Sequence, residues 1–344
     1  MRLKLLSILF TIPILFFTSC NNQQKRTINR GFYYWKTNVN ISPYEQSYMD
    51  SLKTHLLYVR FFDVEAHPNG KGIKPLAIIN FGENLGNYKI IPTVYITTNA
   101  LKRINWQSIP QDAKNIADLL EKKSNEIHLN SEEVQIDCDW TSNTKWVYFE
   151  FLRALKKEPF FQNKILSVTI RMHQIKYRAA SGLPPADKGL LMVYNMDKAE
   201  NVNTENSIFN EALAKDYLKN IATYPMKLDI ALPIFSWSLL FEKGKLMGIL
   251  RDIDDSKFKD ESLFEQQKKN RFVVLKDSLF FGYSLRKGQL IRFEDSDMNA
   301  IKNISKFLSK NMNLDTTNIL LYHCDAKNFK RYKTDDLQKV FSSF

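Results

Sequence analysis

Eight short apolar runs, most of them followed by a helical stretch, constrain this chain more than any other feature of its sequence. They lie at residues 31–37 (GFYYWKT), 56–63 (LLYVRFFD), 89–97 (KIIPTVYIT), 133–140, 165–173 (ILSVTIRMH), 189–196 (GLLMVYNM), 227–235 (KLDIALPIF) and 317–325 (TNILLYHCD). Helical periodicity occupies residues 43–55, 112–125, 145–157, 206–222, 297–311 and 336–341. In the helix at 145–157, Trp146, Phe149, Leu152 and Leu155 fall on one expected packing face. Strands alternating with helices bury best as a parallel sheet, and eight such units over this length predict a (β/α)8 TIM barrel, an α/β fold. An open doubly wound sheet is the competing architecture. It is disfavoured because no glycine-rich phosphate loop follows the first strand.

One stretch exceeds a minimal barrel. Between the seventh strand and the helix at 297, the runs RFVVL, LFFGYSL and QLIRF are separated by turns at Lys276-Asp277 and Lys287-Gly288. This predicts a small antiparallel β insertion over residues 238–296, on the barrel face where active sites lie.

The N-terminus sets the compartment. Arg2 and Lys4 precede thirteen nearly all-apolar residues at 5–17, the length of a signal-peptide core and too short to span a bilayer. Phe17-Thr18-Ser19-Cys20 then resembles a lipobox. The expectation is a signal peptide at 1–19, lipidation of Cys20, and a polar tether at 20–30 leading to a barrel at 31–344. Acyl chains anchor by burying methylene groups, at about 0.8 kcal/mol each. The chain is therefore expected in the cell envelope, at the periplasmic side of the outer membrane. Net charge is +12 for the whole sequence. An exported basic protein has little occasion to meet nucleic acid, so the charge reads first as a solvated basic surface; an acidic glycan or an anionic envelope component is compatible with it but not required by it.

In a barrel both faces of a strand are covered, so polar residues near strand ends are informative. In the fourth strand Gln135, Asp137 and Asp139 share a face, with the two carboxyls roughly 7 Å apart along the strand. Like charges that close should push one pKa upward, as a general acid requires. In the fifth strand Arg171 is the expected partner of Asp137, and His173 is placed to tune Asp139. Tyr194 and Asn195 end the sixth strand, Arg60 and Asp63 the second, and His323 and Asp325 the eighth. The aromatics Trp35, Trp140 and Trp237 lie at strand ends, where their faces suit sugar rings. For each of these residues packing or ion pairing is the competing role.

Cys138 and Cys324 fall in opposite strands, beyond the roughly 7 Å reach of a disulfide, and are expected as buried thiols. No metal is expected, because no HExxH, HxxxH or CxxC spacing occurs, and no cofactor motif or G-x-S-x-G elbow is present.

The segments QIDCDWT, LSVTIRMHQIKY and KGLLMVYNM resemble an uncharacterised family of glycoside-hydrolase-like barrel lipoproteins of Bacteroidetes-type bacteria. Asp-x-Asp at the end of the fourth strand is also similar to chitinase-like barrels, which place a catalytic glutamate two residues later. Thr141 stands there instead. The resemblance implies a barrel acting on a poly- or oligosaccharide, with Asp139 as acid and Asp137 orienting it. The missing glutamate keeps open a non-catalytic barrel that binds a glycan or a partner protein.

Overall fold

The computed structural model describes residues 26–344 except 71, 83, 84 and 252. The signal peptide and Cys20 lie outside the described residues. Eight strands form a closed parallel barrel: β1 Thr27–Tyr34, β2 Leu56–Ala66, β3 Lys89–Ile96, β4 Glu133–Cys138, β5 Ile165–Arg171, β6 Lys188–Met192, β7 Leu228–Pro233 and β8 Thr316–Tyr322. Each strand pairs in parallel with the next, and β1 closes the ring by pairing with both β8 and β2. The TIM barrel expected from the alternation is the fold observed. Closure is tight at Gly31, where an added Cβ would stand 2.5 Å from the Leu56 carbonyl oxygen.

Several boundaries differ from the sequence pattern. β1 begins at Thr27, inside the stretch read as tether, because Thr27, Asn29 and Arg30 are polar and only Ile28 is apolar, yet residues 27–30 pair with Thr316–Ile319. β5 ends at Arg171, so His173 sits not on the strand but on the short helix Met172–Lys176. Trp146 is 59% exposed; helix α3 (Lys145–Leu155) instead buries Tyr148, Phe149, Phe151, Leu152 and Leu155. Cys138 and Cys324 are buried free thiols.

The insertion between β7 and β8 is a five-stranded antiparallel sheet in the order Lys245–Leu250, Ser236–Glu242, Leu290–Asp295, Arg271–Val274, Phe264–Lys268. Its first hairpin turns at Lys243-Gly244, both at positive φ, a two-residue turn suited to strand twist. The run LFFGYSL is two strands rather than one, folded back at Phe281-Gly282. Phe258, Phe264, Phe272, Phe280 and Ile291 give the insertion a small core of its own.

The barrel interior is polar in tiers. At the floor, Lys188 lies 2.8 Å from Glu133 and 2.6 Å from Asp229. The Tyr58 hydroxyl donates to Glu133 at 2.9 Å, and Asn318 donates to Asp229 through its backbone and side chain. One tier up, the Tyr33 hydroxyl donates to Gln135 at 2.5 Å. The charges at the floor are buried, and each is compensated. Lys188→Met should therefore lower stability by about 3 kcal/mol or more, since it strands two buried carboxylates. The midpoint of urea unfolding at pH 7 measures this.

Candidate active site at the barrel mouth

The third tier opens at the C-terminal face. Asp137 is 9% exposed, and the Thr169 hydroxyl donates to its Oδ1 at 2.7 Å. Burial, and next the charge of Asp139, push its carboxyl up to about 7. Asp139, just past the strand end, is half-buried. Its Oδ2 accepts from the Arg171 guanidinium at 2.6 Å, and Arg171 also donates to the Asn195 carbonyl at 2.7 Å. Arg171 thus partners Asp139, not Asp137. Asn195 holds φ at 53°, which turns its carbonyl back toward the guanidinium.

Arg60 and Asp63 are three apart yet reach the same side. A register shift between Arg60 and Phe62 sets Arg60 beside Thr93 and Asp63 beside Tyr95. Their Nε and Oδ1 atoms stand 3.6 Å apart, too long for a hydrogen bond, and both are buried without a hydrogen-bond partner. Burial raises the Asp63 carboxyl despite Arg60.

Aromatic rings frame these groups. Trp35 packs edge-on against Tyr95 at 6.3 Å and lies under the Arg60 guanidinium at 5.6 Å. Tyr322 stacks on Tyr194 at 5.0 Å and meets Phe235 at 5.6 Å. Phe235 in turn meets Trp237 at 5.6 Å. The Trp237 indole N–H donates to the buried carboxylate of Glu294 at 2.8 Å. Burial, then Asp137, raise the phenols of Tyr95 and Tyr322, so both remain neutral donors.

The structure brings Asp63, Asp137, Asp139, Arg60, Arg171, Trp35 and Tyr194 to one mouth. Asn195 and Trp237 line an adjoining groove of about 810 Å³ between the insertion and the segment after β8. His323 and Asp325 line that groove too, instead of closing the barrel mouth, since β8 ends at Tyr322 and Tyr322 takes the inward position. The His323 Nδ1 is buried without a partner, while Asp325 caps helix α7 (Ala326–Arg331) and lies 3.5 Å from Lys36. His173 reaches the surface, but neighbouring atoms desolvate part of its ring, and this with the nearby Arg171 lowers its pKa. Trp140 is a core residue, stacked on Tyr148 at 5.1 Å with its N–H on the Ser181 carbonyl. Thr141 faces solvent and ties off the start of α3 through Thr144. Tyr95 and Tyr322 are additions to the site. Their period-two spacing from the inward Thr93 and Asn318 is the signal that finds them. Among the described residues no group of acidic, His and Cys side chains is placed to hold a metal.

No protein-family model matches the sequence, and no curated protein matches it. Among solved structures, the spore cortex-lytic enzyme SleL of Bacillus cereus superposes with a TM-score of 0.53 at 14% identity, covering 89% of this chain and 74% of that one. SleL of Bacillus megaterium QM B1551 gives 0.51 at 13% identity, over 91% and 74%. A group IV chitinase of Ostrinia furnacalis gives 0.49 at 12% identity, over 92% and 100%. At these identities the likeness to the two SleL structures is one of fold, the (β/α)8 barrel.

A carboxyl that titrates near 7 when folded and in the ordinary aspartate range when unfolded makes the fold lose stability as pH rises between those values. Keeping it ionised costs on the order of 4 kcal/mol. Asp137→Asn should thus raise the melting temperature relative to wild type at pH 8 and change it little at pH 4. Thermal unfolding at the two pH values checks this.

Proposed function

We propose that the barrel mouth binds a poly- or oligosaccharide and that lipidated Cys20 tethers the barrel to the envelope. The observation that carries the first part is a group of buried charged and polar atoms that make no hydrogen bond within the chain. At the mouth they are Arg60 Nε and Asp63 Oδ1, which face each other at 3.6 Å, and Asp139 Oδ1, set where Trp35, Tyr95, Tyr194 and Tyr322 supply ring faces; His323 Nδ1 lies in the adjoining groove. A native fold leaves few such groups unmatched, and a sugar offers both hydroxyls to pair them and C–H faces to cover the rings. The tether reading is supported by the Phe17-Thr18-Ser19-Cys20 motif after an apolar run. An envelope polymer as ligand accords with both the tether and the fold shared with two spore cortex-lytic enzymes.

Binding is favoured over cleavage for three reasons. One oxygen of Asp139 is committed to Arg171. Asp137 lies beneath it, nearly closed to solvent. Thr141, exposed at the position where chitinase-like barrels carry their acid, has no carboxyl to offer. A second reading, hydrolysis, rests on the Asp137 carboxyl, which keeps a proton near neutral pH with Asp139 next to it. In that reading Asp137, not Asp139, is the acid.

Isothermal titration of the protein with a panel of envelope and plant oligosaccharides tests the proposal. Saturable binding is expected, with Trp35→Ala and Asp63→Asn each weakening it about tenfold and no new reducing ends released. Reducing ends that disappear in Asp137→Asn would select hydrolysis. Binding to no saccharide, or binding indifferent to both substitutions, overturns the assignment. For the tether, Cys20→Ser should move the protein from the membrane pellet to the soluble fraction, and an unchanged pellet would remove the anchor.

A further inference from the structure

The outer face of the barrel floor is the surface that the proposed anchor reaches first. Cys20 precedes Thr27, the first residue of β1, by seven residues, a span of at most about 25 Å when fully extended. In a parallel barrel all eight strands start at one end, so the segments that lead into them share one face. Hydrogen bonds join neighbouring entries around it. The Lys89 amide donates to the His55 carbonyl at 2.8 Å, the Ile165 amide to the Glu132 carbonyl at 2.8 Å, and the Thr27 amide to the Asp315 carbonyl at 2.7 Å. Arg26 donates to the Ser309 hydroxyl at 2.8 Å, which brings in the end of the helix Met298–Asn311.

This face is basic. Residue 26 and the entries 52–55, 85–89, 126–132, 156–164, 182–187, 219–227 and 310–315 hold nine lysines and arginines against five aspartates and glutamates. Three of the carboxylates are engaged by lysines: Glu132 by Lys89 at 2.6 Å, Glu126 by Lys123 at 2.8 Å, and Asp187 by Lys156. Glu158 and Asp315 remain. Against them, Lys53, Lys157, Lys227 and Lys310 are exposed and have no carboxylate within 4 Å among the described residues. The Lys164 ammonium donates to a neutral partner, the Ser131 carbonyl, at 2.9 Å. Ile165 and Leu183, in adjacent entries, are exposed aliphatic side chains on the same face. The carboxyls of Asp63, Asp137 and Asp139 stand at the other end of the strands.

We infer that the barrel floor docks on anionic lipid headgroups and so holds the mouth away from the membrane. An acyl chain and a basic patch reinforce one another, because the chain keeps the patch within reach of the surface charge and the patch slows extraction of the chain. The inference rests on the tether reading, which brings this face and no other to within about 25 Å of the lipid. A mouth directed outward can meet an envelope polymer that a mouth laid on the bilayer could not.

The test uses the full-length lipidated protein, extracted from membranes and reconstituted into vesicles of phosphatidylcholine alone or mixed with phosphatidylglycerol. A fluorophore is attached at Ile165→Cys on the floor or at Leu279→Cys on the insertion, where the parent side chains are 42% and 77% exposed. Cys138 and Cys324 are buried and stay unlabelled. Energy transfer to an acceptor on the lipid headgroups is then read. In the phosphatidylglycerol vesicles, transfer from residue 165 should exceed that from residue 279. It should fall to the phosphatidylcholine level at about 1 M salt and in Lys53→Glu/Lys227→Glu/Lys310→Glu. Transfer from residue 165 that is equal in the two vesicle types and indifferent to salt overturns the docking, as does greater transfer from residue 279. A failed tether reads differently, as protein that does not float with phosphatidylcholine vesicles. Capture by phosphatidylglycerol vesicles then tests the floor. The triple substitution should weaken that capture at least about tenfold, and capture unchanged by it removes the docking.

Discussion

Lys188 holds the barrel together from inside. Its ammonium bridges Glu133 of β4 and Asp229 of β7 across its own strand, β6, and the same two carboxylates take up Tyr58 of β2 and Asn318 of β8. Five of eight strands therefore meet at one buried charge cluster. Asn29 of β1 joins through Asn318 at 2.9 Å. Such a cluster contributes less to net stability than to specificity, because every desolvated charge must find its one partner. Wrong strand order or a slipped register would leave a carboxylate bare. With the floor fixed, alternation along β4 carries Gln135 and then Asp137 upward into the mouth.

A second buried pair does the same for the insertion. Arg292 and Glu294, both fully inside, lie 2.6 Å apart on the sheet's central strand. Arg292 donates outward to the carbonyls of Ala199 and Asn201, and Glu294 accepts from Ser207 and from the Trp237 indole. The insertion is thereby locked to the loop after β6, the loop that also carries Asn195. The wall of the groove and the carbonyl that steadies Arg171 are parts of one hydrogen-bonded unit. Trp237 owes its orientation to a carboxylate that no ligand reaches.

The sequence pattern carried the barrel, the insertion and the inward face of the fourth strand, because all three rest on apolar periodicity over several residues. It failed where a single residue changes the period. The bulge between Arg60 and Phe62 puts two residues three apart on one side, which strict alternation forbids. Termination of β5 at Arg171 takes His173 out of the strand, and termination of β8 at Tyr322 exchanges the expected inward His323 for Tyr322. Spacing alone puts Trp146 on the packed face, where the structure leaves it exposed. Helical period cannot distinguish a core aromatic from one left at the rim, since both recur with the same turn. The partner of Arg171 was likewise out of reach, because choosing between Asp137 and Asp139 depends on how far each carboxylate rises above the last paired residue of β4.

That choice decides the character of the mouth. Had Arg171 paired with Asp137, the buried carboxyl would be a neutralised ion and Asp139 the exposed one free to hold a proton. With the pairing as observed, the guanidinium spends itself on the outer carboxylate, and at the inner one burial and a like charge outweigh the Thr169 hydroxyl and the more distant guanidinium. The balance favours the protonated form up to about pH 7, where the inner acid is a hydrogen-bond donor. The mouth then offers a ligand a neutral acid, the phenols of Tyr95 and Tyr322, and the cation of Arg60, mostly donors, set among rings. A polyhydroxylated ligand, rich in acceptor oxygens, is the kind of partner such a surface discriminates for, and loss of the proton from Asp137 would convert its deepest point from donor to anion.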